Sequence, residues 1–306
     1  MDYFDLHCDT IYECTLRGQA LWENRLALSL SKGQGFGRWC QTFALFIPDK
    51  YKGKQAVDFY EKLLDTYRTE LSRNVPNIAH CNNASDITKA VENCKCAAAL
   101  SVENASALAG DISRVGTLYD DGVRMMTLTW NGDNELASGV KGSGGGLTPF
   151  GIRVVEEMGR LGMLCDLSHL NERGFWEVAE MGVATLVASH SNLKSVCDNP
   201  RNLTDEQFKA ICRSGGVMGI NFYKEFLCGD SFEKIYANIC YALELGGEDC
   251  IAFGSDFDGA QMDYRINSVD KMDNLCDYLL SKGLSQRVLN KLCFDNAFRM
   301  FRKEEI

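Results

Sequence analysis

The chain is predicted to fold as a (β/α)8 TIM barrel of the α/β class, and three observations lead there. Eight short apolar segments recur along its 306 residues. Segments with helical periodicity lie between them. Polar residues of metal-ligating type collect at the C-terminal ends of the apolar segments. Eight buried parallel strands alternating with helices over about 300 residues suit a closed barrel, whose active site forms at the C-terminal mouth of the strands. An open doubly wound sheet is the runner-up, but no GxGxxG follows the first apolar segment.

The apolar segments span residues 4–9, 40–47, 97–103, 123–130, 163–169, 184–190, 216–222 and 250–256. Short length and near-continuous apolar content fit strands covered on both faces. Among the helical segments, 55–72 carries Val57, Tyr60, Leu63, Leu64, Tyr67 and Leu71 on one stripe. Thr204-Asp-Glu-Gln207 opens another helix with a capping-box pattern. Residues 232–245 and 269–280 repeat the helical spacing. The chain has only four prolines, and no Ser/Gly linker or charge block divides it, so a single domain over 1–306 is expected. The glycine-dense run at 142–146 is too short for a linker and is expected to be an active-site loop, as a mobile rim or a flexible turn.

Composition excludes several classes. Hydrophobic residues at 45% and charged residues at 24% are those of a globular protein, not a disordered one. Asp plus Glu outnumber Lys plus Arg by 42 to 32, a net charge of −10, and an acidic surface repels phosphate backbones. No nucleic-acid partner is expected. No apolar run approaches the ~20 residues needed to cross a bilayer, the N-terminus lacks the pattern of a secretory signal, and the charged tail FRKEEI is unlike a lipid-anchor signal. Fourteen cysteines scatter without a CxxC pair or a scaffold spacing, many of them inside apolar runs. They are expected to be reduced packing residues of a cytoplasmic protein.

The chemistry gathers at the predicted strand ends. The first segment closes on Leu6-His7-Cys8-Asp9, where a strand period of two puts His7 and Asp9 on one face. Others close on Ser101-Val-Glu103, Asp166-Leu-Ser-His169, Ala188-Ser-His190 and Gly254-Ser-Asp256-Phe-Asp258-Gly259. Only four histidines occur, and three of them, His7, His169 and His190, sit at such ends. The fourth, His80, is read as a surface loop residue. A single strand-end histidine is ordinarily structural, but three converging with Asp9, Glu103 and Asp256 point to metal binding. Imidazoles and carboxylates without a required thiolate suit zinc. Such a set is able to hold two ions with the glutamate shared, which supplies a nucleophile at neutral pH, while a spare aspartate moves protons.

These residues resemble the renal or membrane dipeptidase family, a branch of the metal-dependent amidohydrolase barrels. DLHCDT, SVEN, LTWN, DLSH, ASHSN, NPRN, NFY and GSDFDG occur in the family's order along nearly the whole chain. The resemblance implies a two-zinc barrel that hydrolyses dipeptides through a bridging hydroxide, usually as a homodimer. It matches His7 and Asp9 to the ligands of one zinc, Glu103 to the bridge, and His169 and His190 to the ligands of the other. It matches Asp256 to the catalytic acid/base, and Arg201 and Tyr223 to the residues that hold the substrate carboxylate.

One position departs from the family pattern. Where relatives carry a histidine that helps bind substrate and polarise the carbonyl, this chain has Trp130. An indole donates one hydrogen bond but neither accepts one nor becomes charged. Trp130 is therefore expected to shape the pocket and to narrow it over the N-terminal side chain. Asp258 is read as a loop hydrogen-bond acceptor. Asn131, Asn134 and Glu135 either line the pocket or form turns. Two other classes stay open at this point: a binuclear amidohydrolase acting on N-acyl amino acids, cyclic amides or lactones, and a non-catalytic binding barrel. The carboxylate clamp favours dipeptides, and the complete ligand set argues against a dead site.

Overall fold

The computed structural model describes residues 1–302; the last four residues of the charged tail lie outside the described residues. Nine strands are present among them: β1 (Tyr3–Cys8), β2 (Trp39–Phe46), β3 (Ile78–His80), β4 (Cys96–Glu103), β5 (Val123–Thr127), β6 (Leu164–Asp166), β7 (Leu186–Ser191), β8 (Val217–Ile220) and β9 (Ile251–Phe253). Every strand pairing is parallel. The sheet runs β2-β1-β9-β8-β7-β6-β5-β4 and closes through a β2–β4 ladder that pairs Cys40 with Ala97 and ends with Phe46 opposite Glu103. These eight strands form the predicted closed (β/α)8 barrel.

The extra strand, β3, was not foreseen. It pairs with the start of β4, Ile78 opposite Cys96 and His80 opposite Ala98, below the stretch that β5 takes from Leu100 onward. Three residues are too few for a period of two to register in a sequence. His80 is consequently corrected from a surface loop residue to a half-buried one. Its Nδ1 lies 2.8 Å from the Tyr67 hydroxyl and its Nε2 lies 3.1 Å from Asn82 Oδ1. Burial holds its pKa below the ordinary value, and it plays no part in the site.

The helices follow the expected stripes. Lys54–Arg73 buries Phe59, Tyr60, Leu63, Leu64 and Tyr67. Thr204 accepts from the Gln207 amide while the Gln207 side chain accepts from the Thr204 amide, so the capping box is formed. At the N-terminal ends of the strands, Phe4, Leu6, Leu164, Val187 and Val217 cluster with Phe294, from a C-terminal helical segment, and Phe301, from the turn after the last helix. Apolar packing thus fills one end of the barrel and leaves the C-terminal end for polar groups.

The cysteine expectation needs one correction. Twelve thiols are free, nine of them buried. Cys197 and Cys228, 31 residues apart, are joined in a disulfide. Nothing local in the sequence signals the pair, because the fold alone brings the loop after β7 beside the loop after β8. No helix among the described residues is long and apolar enough to cross a membrane.

Candidate active site

Several strands end earlier than their apolar runs predict, and the shortening is informative. β6 stops at Asp166 and β9 at Phe253, so His169 and Asp256 lie past the last ladder bonds. Both residues have left-handed backbones, φ 67° for His169 and φ 63° for Asp256. Such conformations cost non-glycine residues roughly 1–3 kcal/mol each and cluster at functional sites. His7 and His190 are re-aimed differently. The register slips between Asp5 and Cys8 in β1 and between Ala188 and Ser191 in β7, so each histidine sits in a bulge.

The turned residues converge. Glu103 lies at the centre: its Oε1 is 3.0 Å from His169 Nε2 and 3.7 Å from His190 Nε2, and its Oε2 is 3.5 Å from His7 Nε2. His7 Nε2 is also 3.7 Å from Asp9 Oδ2. Ligand atoms of His7, Glu103 and His190 form one tight group, and those of His7, Asp9 and Asp256 form another. Gly259 completes the cradle, because a side chain there would collide with the carboxylates of Asp9 and Asp256. All six predicted metal-site and proton-shuttle residues therefore share one buried cluster.

The hydrogen bonding fixes which nitrogens are free. Ser189 Oγ donates to Asp166 Oδ2 at 2.6 Å, so its lone pair must receive the proton on His190 Nδ1, 2.7 Å away. His169 Nδ1 sits 3.0 Å from Asn131 Oδ1, which receives its proton in the same way. Both histidines thus turn bare Nε2 lone pairs toward each other at 2.9 Å, with no donor between them. Burial first, and then the nearby Arg201 and His7 cations, hold both pKa values well below the ordinary range. His7 goes the other way: burial opposes its charge, but Glu103, Asp9 and Asp256 outweigh that and raise it to about 10. Glu103 and Asp256 are raised, chiefly by burial. His7 Nε2 and Asp9 Oδ1 are buried without a hydrogen-bond partner. Facing lone pairs, orphaned ligand atoms and second-layer partners on Nδ1 together fit divalent cations of the zinc type.

A cavity of about 470 Å3 opens above this cluster, lined by Trp130, Arg201, Tyr223 and Asp256 among others. Arg201 is buried there; Nη1 donates to Ser191 Oγ at 3.0 Å and Nη2 to the His190 carbonyl at 3.1 Å. Its Nε has no partner, and burial lowers its pKa to about 10, still charged at neutrality. Tyr223 is half-buried, and its amide donates to Asn221 Oδ1. Asn221 Nδ2 in turn donates to Asp256 Oδ2 at 3.0 Å. The Cys197–Cys228 disulfide ties the Arg201 loop to the Tyr223 loop. Trp130 stands 5.2 Å from the Phe46 ring and 6.1 Å from that of His169.

The remaining expectations resolve simply. Asp258 accepts from Thr10 Oγ1 and the Ala27 amide, as a loop acceptor should, and also lines the cavity. Asn131 is a site residue through His169, while Asn134 ties a turn by accepting from the Leu136 and Ala137 amides. Residues 142–146 stay outside the cavity lining, to which Val140 and Lys141 contribute instead. Sequence reasoning missed the supporting layer of Asp5, Asp166, Ser189, Ser255 and Asn221. Its only signals were the serines directly before His190 and Asp256.

A parallel barrel with three histidines and three carboxylates buried at its mouth defines a metal-dependent hydrolase. Comparison places it more narrowly. Residues 1–306 match the model of the membrane dipeptidase family, peptidase family M19, and the chain belongs to that family of metallo-dipeptidases. It is 34% identical over 260 residues to an uncharacterized protein in the pqqA 5′ region of Klebsiella pneumoniae, covering 80% of this chain and 96% of that one. It is 29% identical over 272 residues to the dipeptidase verJ of Clonostachys rogersoniana, covering 84% and 70%. Among solved structures, a metallo peptidase of Rhodobacter sphaeroides, liganded with a phosphinate mimic of the dipeptide L-Ala-D-Ala, superimposes with a TM-score of 0.92 at 25% identity over 98% of both chains.

Proposed function

We propose that this chain is a zinc-dependent dipeptidase acting on dipeptides with a free C-terminal carboxylate, with the whole of 1–306 as one catalytic domain. The observation that carries the reading is a single cavity with the histidine–carboxylate cluster at its floor and the buried Arg201 guanidinium on its flank. In this reading His7 and Asp9 hold one ion, His169 and His190 hold a second, and Glu103 is shared. Two such ions, when bound, supply a nucleophile at neutral pH and Lewis-acid polarisation of the scissile carbonyl. The phosphinate dipeptide mimic in the Rhodobacter sphaeroides relative supports the substrate class.

The chain's own groups do the rest. Arg201, with Tyr223 beside it, receives the substrate carboxylate in charge-assisted hydrogen bonds and so fixes the direction of the dipeptide. Asp256, steadied by Asn221, takes the proton of the attacking water and returns it to the leaving amine. Burial raises its pKa above the ordinary carboxylate value. Trp130 walls the cavity. A cytoplasmic location is part of this reading, supported by the twelve free thiols. The test is one preparation analysed for bound metal and assayed on dipeptides, N-acyl amino acids and cyclic amides. Zinc with dipeptide turnover is the expected result, and turnover of only the other two classes sinks the dipeptidase assignment.

A further inference from the structure

We propose that Tyr12, Phe46 and Trp130 form an aromatic subsite that receives a flat or aromatic side chain on the N-terminal residue of the dipeptide, an inference that rests on the dipeptidase reading above. The three rings make one continuous wall. Tyr12 and Phe46 lie 5.2 Å apart at an interplanar angle of 57°, and Phe46 and Trp130 lie 5.2 Å apart at 58°. All three line the cavity and are half-buried, whereas aromatic residues of the barrel core such as Phe4, Phe43 and Phe253 are fully covered. Each ring therefore keeps part of its surface open to the cavity. Val140 adds a further apolar lining residue. Neither the Tyr12 hydroxyl nor the Trp130 indole N–H has a hydrogen-bond partner among the described residues, so both remain available to a bound molecule.

The sheet order sets the wall against the clamp. Round the barrel the strands run β1, β2, β4, β5, β6, β7, β8 and β9. Phe46 ends β2, Tyr12 follows β1 and Trp130 follows β5, while Arg201 follows β7 and Tyr223 follows β8. β7 is four places from β2, the opposite side of an eight-strand ring. A dipeptide backbone spans only about 7 Å. With its carboxylate on Arg201 and its peptide carbonyl over Glu103, its N-terminal residue is carried to the far wall. That wall offers edges and faces to an aromatic ring, with Glu13 and Lys141 lining the cavity beside it. Aromatic pairs add attraction beyond the area they bury, which makes the preference one of shape and not of size alone.

The experiment compares kcat/KM for Phe-Ala, Leu-Ala, Ala-Ala and Ala-Phe with zinc restored, in wild type, Phe46→Ala, Tyr12→Ala and Phe46→Leu. Wild type should prefer Phe-Ala to Ala-Ala by at least about tenfold, with no matching gain for Ala-Phe. Phe46→Ala and Tyr12→Ala should bring the Phe-Ala/Ala-Ala ratio toward one. Phe46→Leu, which keeps apolar volume and guards against a folding defect, should lower the Phe-Ala/Leu-Ala ratio. A general structural defect moves all substrates together and leaves the ratios alone. Equal wild-type rates on Phe-Ala and Ala-Ala, a preference for Ala-Phe, or ratios unmoved in all three variants would overturn the subsite. Zinc-loaded enzyme that cleaves no dipeptide at all fails the dipeptidase reading itself, and the subsite with it.

Discussion

Replacing the substrate's C-terminal carboxylate by an amide isolates the role of Arg201 without touching the protein. Two of the Arg201 nitrogens are engaged by Ser191 and the His190 carbonyl, and Nε is left buried and unpaired. The guanidinium is charged at neutral pH although burial lowers its pKa to about 10. A carboxylate arriving here pairs with a desolvated cation, whereas an amide leaves that cation unmatched. Truncating one side of such a pair costs roughly 2–5 kcal/mol, which converts to about 30-fold to several thousand-fold in kcat/KM. Arg201→Ala also removes the support of the His190 carbonyl, so its absolute rate is a poor guide. The acid-to-amide ratio within each enzyme cancels that damage, by the logic of a double-mutant cycle. The assay is therefore kcat/KM for a dipeptide and its amide in wild type and in Arg201→Ala. Wild type should favour the acid strongly, and the variant should hydrolyse both at similar, low rates. Equal wild-type values for acid and amide would refute the clamp and shift the reading toward a broader amidohydrolase.

Four further outcomes are expected. About two zinc ions should bind per chain, and His169→Ala should lose one of them and nearly all turnover with an unchanged circular dichroism spectrum; one tightly held ion in active wild type contradicts this. Asp256→Asn should keep its metal but lose about two to four orders of magnitude in kcat, and near-wild-type rates in a fully metallated sample would exclude it as the shuttle. In the metal-free chain, the His7 imidazolium beside Glu103 stabilises the fold below the ordinary histidine pKa of 6.5, and that contribution is lost as pH rises through about 10. Zinc competes with this proton, so loading near neutrality should release protons into a weakly buffered dye solution and should tighten with pH; pH-independent affinity over that range contradicts the assignment. Trp130→Phe should slow turnover if the indole N–H assists the developing oxyanion, Trp130→His should broaden the range toward bulkier dipeptides, and an unchanged profile in Trp130→Ala would remove this residue from the pocket.

The barrel and the core of its site were legible because two patterns coincide. Strands buried on both faces leave unbroken apolar runs, and the polar residues that interrupt those runs at their C-terminal ends are the ones facing the mouth. His7, Glu103 and His190 stand out for that reason. The strand limits were harder. Leu167 is apolar and buried like its neighbours, so nothing in the sequence tells that the ladder stops at Asp166 and that the chain then turns left-handed at His169. His80 was misjudged because its strand is three residues long and its partner, Tyr67, lies on a helix already explained by its own stripe. The Cys197–Cys228 bond joins two loops that meet only once β7 and β8 are paired. Its position was a property of the fold before it was a property of the spacing.

The buried layer beneath the site shows how the mouth holds so many ionisable groups in fixed positions. Asp5 in β1 accepts the Ser255 amide at 2.8 Å and the Ser255 hydroxyl at 2.6 Å, and Gln41 of β2 donates to it at 3.0 Å. Asp166 in β6 accepts the Ser189 amide at 2.9 Å and the Ser189 hydroxyl at 2.6 Å, and Thr127 of β5 donates to it at 2.6 Å. The two arrangements are the same device, each spanning three adjacent strands, and β1 and β6 stand four places apart in the ring of eight. In each, the serine directly precedes a site residue, Asp256 in one case and His190 in the other. An aspartate that grips both amide and hydroxyl fixes the height and the direction of the next residue together. A buried carboxylate deprived of such partners is costly, so the clamp resists the alternatives that the strained and bulged backbones nearby would otherwise prefer. The loops above the mouth supply Arg201, Tyr223 and Trp130 and therefore bear on which substrate enters. The clamped strand ends set where the cluster of histidines and carboxylates lies, and they do so from both sides of the barrel at once.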